Sequence, residues 1–241
     1  MAKFKCKYKV ELLDIGIDGR MSNKAALKIL ENAAVMHSEC YKLGINDMKT
    51  NGISWVLLGW KVKIIKRPKY NEELIVYTWS RDPGRVSSYR DYEIYDENNN
   101  LCVVATSKWA VVDCNTGKLS EITDKIIEPY KSESTKALEE EYNFKLREPE
   151  ESIFSTRFKA QRRDIDFNRH VHNLNYLDYA YETIPQEVYD EGEQENIEIM
   201  YKRQIKLYDE FICLYQKEDE KNIVTIKSID NSKLHAIIKL Y

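Results

Sequence analysis

No stretch of this 241-residue chain is long and apolar enough to cross a bilayer. Its first residues, MAKFKCKYKVELL, alternate charged and apolar side chains without an unbroken apolar core, so neither a secretory nor a transit leader is expected. Neither sign of charge dominates: 37 Lys and Arg stand against 40 Asp and Glu, a formal net charge of -3. Such a balance gives no global field for holding nucleic acid or an anionic membrane, and neither is expected as a partner, although local patches are left open. The five cysteines, Cys6, Cys40, Cys102, Cys114 and Cys213, are odd in number, far apart and without a C-x-x-C pair. They read as free thiols in a reducing compartment, the cytoplasm by default, and not as a disulfide frame or zinc site. Also missing are G-x-S-x-G, G-x-x-x-x-G-K, G-x-G-x-x-G and H-E-x-x-H. No cofactor and no metal are expected, and any chemistry would fall to side chains and water.

What is present is a repeated order of elements. Lys3 to Leu13 alternates with a period near two, as a half-buried strand does. Ser22 is placed to cap a helix reading SNKAALKILENAAVMHSECYKLG, with Gly44 at its end. Four strand-like runs follow, Ser54–Lys66, Glu73–Ser80, Val86–Tyr95 and Leu101–Asp113. Residues 120–150 are dense in charge and read as a linker. The order then resumes: a strand at Ile153–Ala160, a helix at Val171–Glu182, and strands at Ile197–Leu207, Glu210–Gln216, Ile223–Ile229 and Lys233–Tyr241. There is little repeat in the residues themselves. A single helix per antiparallel sheet must cover that sheet's apolar face. The expectation is an α+β chain of two tandem hotdog domains, each an antiparallel sheet wrapped around a central helix, over 1–119 and 151–241; the pattern alone also fits an α+β chain of two unrelated halves.

The densest chemistry lies in RRDIDFNRHVHNLNY, residues 162–176. Asp166, Asn168 and His170 are spaced two apart, so an extended backbone would point all three to one side. They precede the helix expected from Val171, whose unpaired N–H groups would suit an oxyanion. A histidine with a pKa near 6.5 can relay protons at neutral pH, a carboxylate beside it can hold its tautomer, and an amide can orient water or carbonyl. Cap residues also cluster before helices, so the string read alone fits a polar turn equally well. His172 faces elsewhere, His37 falls on the apolar stripe of the first helix as a core histidine, and His235 has no assigned role.

Two long ordered matches resemble a known family, the acyl-acyl-carrier-protein thioesterases. RRDIDFNRHVHNLNYLDYAYETIP is similar to its D-[LI]-D-x-N-x-H-V-N-N-x-x-Y string. ISWVLLGWKVKIIKRPKYNEELIVYTWSRDPGRVSSYRDYEIYDENNNLCVVATSKWAVVD resembles its W-V…P…E…T-W…R-D-[WY]…A-T-S-x-W run. The resemblance implies tandem hotdogs that release free fatty acid from the phosphopantetheine arm of acyl carrier protein. It carries catalytic roles to Asp166, Asn168 and His170. The family's Y-R-R-E-C string aligns with Tyr201–Ile205, where Gln204 replaces the Glu and Ile205 the Cys. Gln204 keeps hydrogen-bonding atoms but takes no proton, which leaves it water positioning. His172 is a third departure, from Asn.

The resemblance also puts the acyl chain in the first repeat, which holds all four tryptophans; Trp55, Trp60 and Trp79 are the expected lining, although buried aromatics mostly just pack. Arg162, Arg163 and Arg169 border the site as basic contacts for an acidic carrier. Lys61, Lys63, Lys66, Arg67 and Lys69 form a second cluster, which also fits a solvated strand face. An acyl-coenzyme A thioesterase and a non-catalytic acyl-binding hotdog are the competing readings. Whether two copies pair as a homodimer is left open.

Overall fold

The computed structural model describes residues 3–139 and 144–241, and the chain divides into two units, Met1–Tyr142 and Asn143–Tyr241. In the first, β1 (Phe4–Lys9) precedes the helix α1 (Asn23–Glu39), the single turn α2 (Met48–Asn51), and β2 (Ile53–Ile64), β3 (Glu73–Ser80), β4 (Ser87–Asp96) and β5 (Leu101–Asp113), after which comes α3 (Asp124–Ile127). The second has β6 (Phe154–Lys159), the helices α4 (Asn175–Tyr181) and α5 (Gln186–Asp190), then β7 (Asn196–Tyr201), β8 (Glu210–Glu218), β9 (Lys221–Ser228) and β10 (Leu234–Leu240). Strand order is β1-β3-β4-β5-β2 in one and β6-β8-β9-β10-β7 in the other, with every pairing inside a unit antiparallel. The order is the same once each strand is matched to its counterpart. Each unit is the expected hotdog.

α1 starts where the sequence placed it, with Ser22 Oγ accepting from Ala25 N at 3.1 Å. Ala26, Leu27, Leu30 and Ala33 recur at helical spacing and are buried. Its end differs from expectation. The helix stops at Glu39, Lys42 takes the left-handed turn at φ 58, and Leu43 N bonds Ser38 O at 3.0 Å. Gly44 lies beyond the cap.

The sheet face toward α1 is identified by Arg90, which pairs across strands with Ser80 and donates to His37 Nδ1 at 2.8 Å. Trp55 lies on that face, with its ring 6.3 Å from Tyr130, which packs edge-on to His37. Trp60 lies there too, fully buried 5.2 Å from Tyr92. Trp79 does not. Successive strand residues alternate faces, so Trp79 is turned away from Ser80's side. Its indole N–H donates to Thr135 O at 2.8 Å, and Lys3 Nζ sits 3.6 Å from the ring centroid. Trp79 is therefore removed from any pocket under α1.

Residues 120–139 are also reassigned. Ile126 and Tyr130 are buried in the first unit, and Glu133 N bonds Ser80 O at 2.9 Å, so this part of the expected linker belongs to that unit. The apolar residues scattered among its charges are what anchor it. The remainder of the expected linker includes 140–143, which lie outside the described residues.

His37 is a core histidine as expected. Burial and then the Arg90 charge push its pKa down to about 3. A protonated ring would set N–H against the guanidinium that now donates to it. Since the folded value lies below the unfolded one of about 6.5, stability is whole above pH 6.5 and falls as pH drops toward 3. The urea midpoint of the parent should therefore fall across that window, and that of His37→Gln should vary less with pH. Equal slopes would remove His37 as the cause.

The repeat is more legible in residues than the sequence suggested. Glu11 N bonds Asp14 Oδ2 at 2.9 Å, as Gln161 N bonds Asp164 Oδ2 at 2.6 Å. Gly16 N to Arg20 O (2.8 Å) is matched by Asp166 N to His170 O (2.9 Å), and Met21 N to Pro68 O (2.7 Å) by Val171 N to Ile205 O (2.8 Å). By this correspondence Gly16, Asp18, Arg20 and Arg67 stand where the second unit has Asp166, Asn168, His170 and Gln204. The acid, amide and imidazole occur together only in the second turn.

Candidate active site

After β6 the chain makes a 3-10 turn at Arg162–Asp164 and then a tight loop closed by the Ile165–Val171 bridge. Asp166 Oδ1 accepts from Asn168 N at 2.8 Å and from His170 N at 3.4 Å, and Arg169 N bonds Asp166 O at 3.0 Å. Arg169 takes φ 65. The loop is thus a turn and not an extended run, and its three candidates do not share a face by alternation. Asp166 and His170 are half-buried, while Asn168 is exposed at the tip. The carboxylate holds the backbone of the turn, including the N–H of His170. This corrects the expectation that it would hold the imidazole tautomer. His170 Nδ1 is buried without a hydrogen-bond partner among the described residues, which leaves a ring nitrogen unassigned by the fold.

The helix is shorter than expected and begins later. Residues 170 and 171 pair with 206 and 205 instead of entering a helix, and α4 starts only at Asn175. Its seven residues and four-residue offset remove the helix amino end as an oxyanion site for this loop. His172 Nδ1 accepts from Leu174 N at 3.2 Å and Asn175 Nδ2 donates to Asp164 O at 3.0 Å, so these side chains shape the entry to α4.

The same pairing brings the second string to the loop. β7 ends at Tyr201, six residues before the expected Leu207. Lys202 N and Arg203 N both bond His235 O, at 2.8 and 3.3 Å, and the chain then turns so that Ile205 N donates to Tyr176 OH at 3.1 Å. Gln204 is exposed between these anchors, one residue from the strand bridge that holds Val171. Ile205 is buried. His235, for which the sequence offered no role, is buried, and its Nδ1–H donates to Arg203 O at 3.0 Å. Burial lowers its pKa below the ordinary value, so the neutral ring is the form that fixes the residue before Gln204. A lone histidine in a terminal strand carries no sequence signal of this.

Around the loop the charge is positive. Arg162, Arg163 and Arg169 are exposed, with Arg162 Nε donating to Tyr208 OH at 3.1 Å and Arg163 3.8 Å from Asp164. Lys202, Arg203 and Lys206, missed in the sequence, are exposed on the paired segment. The other expected cluster is partly spent on structure: Lys66 Nζ lies 2.6 Å from Asp96, and Arg67 Nη1 donates to Met21 O at 3.0 Å. Asp96 is held well below the usual carboxylate range by Lys66 and by the amide and backbone of Asn100.

The two units and the paired loop define a tandem hotdog protein, in which a small polar and basic constellation sits on the second unit. A family model for the acyl-ACP thioesterase N-terminal domain matches residues 1–130, and one for the acyl-ACP thioesterase C-terminal domain matches 147–239. The chain belongs to the acyl-ACP thioesterase family. It is 26% identical over 238 residues to the chloroplastic oleoyl-acyl carrier protein thioesterase 2 of Arabidopsis thaliana, covering 92% of this chain and 65% of the relative. It is 25% identical to the chloroplastic palmitoyl-acyl carrier protein thioesterase of Cuphea hookeriana, covering 83% and 51%. The chain spans between half and two thirds of the length of these curated relatives. In fold it matches an acyl-ACP thioesterase from Bacteroides thetaiotaomicron, with TM-score 0.87 and 21% identity over 99% of this chain and 97% of that one. It likewise matches the 12:0-ACP thioesterase of Umbellularia californica, with TM-score 0.87 and 18% identity over 100% and 96%.

Proposed function

We propose that the protein hydrolyses fatty-acyl thioesters of acyl carrier protein and releases free fatty acid, which ends chain elongation. What carries the reading is the Asp166-x-Asn168-x-His170 turn, paired with the Gln204 segment, in a chain of this family. A water oxygen attacks the thioester carbonyl carbon while His170 takes a water proton. The C–S bond of the tetrahedral intermediate then breaks, and His170 returns the proton to the departing sulfur. Asp166 offsets the imidazolium charge, Asn168 donates to the carbonyl oxygen, and Gln204 positions the water. We assign the acyl chain to the α1-facing side of the first sheet at Trp55 and Trp60. A cytoplasmic location accompanies this reading, since all five cysteines are free thiols.

The phosphopantetheine carrier is acidic, and the six exposed cations of 162–169 and 202–206 are the surface assigned to it. Incubation with acyl-loaded carrier should release free fatty acid and a free carrier thiol. That turnover should fall more steeply with salt than turnover of a short acyl thioester without the carrier, because steering by exposed charges is screened over about 8 Å at physiological ionic strength. Absence of released acid would sink the activity. Equal salt responses would sink the docking assignment alone. Gln204 favours a second reading, a non-catalytic acyl-binding hotdog, because an amide cannot exchange protons where the family string has a carboxylate. That reading expects binding of the loaded carrier without release.

A further inference from the structure

The 3-10 segment of this turn carries opposite surface chemistry in the two units. In the second unit it shows Arg162 and Arg163, whereas in the first it shows Leu12 and Leu13, 74% and 94% exposed. Ile17, at 69%, follows on the next bend, and Tyr70, at 60%, lies on the turn bonded to it. The equivalent joined turns of the second unit expose Phe167, at 62%, Leu207, at 38%, and Tyr208, at 51%, so what sets the first unit apart is the adjacent pair of largely exposed leucines. The two turns are held together by Asn71 N to Val10 O at 2.9 Å, Met21 N to Pro68 O at 2.7 Å and the Arg20–Lys69 bridge. Beneath the leucines, Asp14 is buried and bonded to Lys28, Tyr8 and the N–H of Glu11, so the segment is fixed in place. The second unit forms the same turn with two arginines, so its geometry does not call for leucine.

We propose that this turn pair of the first unit is a docking surface for an anionic lipid bilayer. Charge complementarity identifies the occupant. The edge strand β1 presents exposed Lys5, Lys7 and Lys9 leading up to the leucines, and Arg20 and Lys69 stand exposed at the bridge between the turns. Against them the same segments expose Glu11, Asp18 and Glu73. Aliphatic side chains on a short fixed turn, with a tyrosine and lysines around them, enter the headgroup boundary without needing a matching groove. The near-neutral total charge concealed this arrangement, since the excess of cations is local. The inference goes beyond the proposed hydrolysis, and its test does not depend on activity.

The test is co-sedimentation of the full chain with vesicles of phosphatidylcholine containing about 30% phosphatidylglycerol, and with pure phosphatidylcholine, at low and physiological salt. The parent should bind the anionic vesicles and bind the neutral ones much more weakly. Leu12→Arg with Leu13→Arg, which copies the turn of the second unit, should keep the melting temperature while lowering binding at least about tenfold. Lys7→Glu with Lys69→Glu should lower it as well and flatten its salt dependence. The proposal is overturned if the parent fails to sediment with anionic vesicles, or if the leucine variant binds as well as the parent. It is also overturned if the leucine substitutions leave vesicle binding intact while changing oligomeric state or affinity for acyl carrier protein, which would make the patch a protein contact.

Discussion

Asp166→Asn is expected to lower kcat on acyl carrier protein substrates by about a thousandfold while leaving the melting temperature nearly unchanged. The separation follows from how the carboxylate is used. Its Oδ1 accepts from Asn168 N and His170 N, and an asparagine Oδ1 can accept from the same two donors. The turn is therefore kept and only the negative charge is lost. What disappears is compensation of the imidazolium that His170 becomes as it removes the water proton. His170→Gln should cost a similar factor, because general acid–base catalysis contributes about 10²–10⁴ and glutamine cannot exchange protons. If both residues act on one proton, the double substitution should cost little more than either alone. Gln204→Ala should cost less, since an exposed amide that positions water is replaceable in part by solvent. Single-turnover rates on a loaded carrier, together with thermal unfolding, check all four. An Asp166→Asn protein with parental turnover would end the catalytic assignment.

The strands were legible because their residues alternate over a face that is buried on one side; β3 and β5 have the bounds read from the sequence. The errors fall where a tertiary pairing takes residues away from a local pattern. Lys202 to Leu207 continues the alternation of β7, and Val171 begins a helical spacing, yet each is diverted because the two segments pair with one another. That pairing builds the candidate site, so the site's neighbourhood was the least readable part of the second unit. Trp79 was misplaced for a different reason. ELIVYTWS is apolar on both faces, since the segment through Thr135 covers the side away from α1, and alternation cannot then tell inside from outside. Asp14-Ile15 and Asp164-Ile165 are the same dipeptide at equivalent places, a correspondence that two residues cannot establish without the matching hydrogen bonds.

The largest stability effect is expected at Asp14, and its counterpart Asp164 is the control. Asp14 is 1% exposed and accepts from Tyr8 OH at 2.7 Å, from Glu11 N at 2.9 Å and from the Lys28 ammonium. Burial alone would raise its pKa, but the bonds from Lys28, Tyr8 and Glu11 outweigh it and hold the carboxyl below its usual value. Its contribution is therefore present above about pH 4 and lost as pH falls below that. Asp14→Ala leaves an ammonium and a phenol beside an empty site, and breaking such a buried pair costs about 3–5 kcal/mol; Lys28, one third exposed, can partly rehydrate, which favours the lower end. Asp164 caps an equivalent turn with less at stake. Its side chain is 14% exposed and its cation, Arg163, is 83% exposed at 3.8 Å, so the pair adds little beyond the cap itself. Asp164→Ala should cost about 1–2 kcal/mol. Urea unfolding of the two variants should differ accordingly, with Asp14→Asn intermediate because it keeps the acceptor oxygen but not the charge. Equal costs for the two alanine substitutions would mean that the turn hydrogen bond, common to both units, carries the stability and that the buried Lys28 pairing carries none.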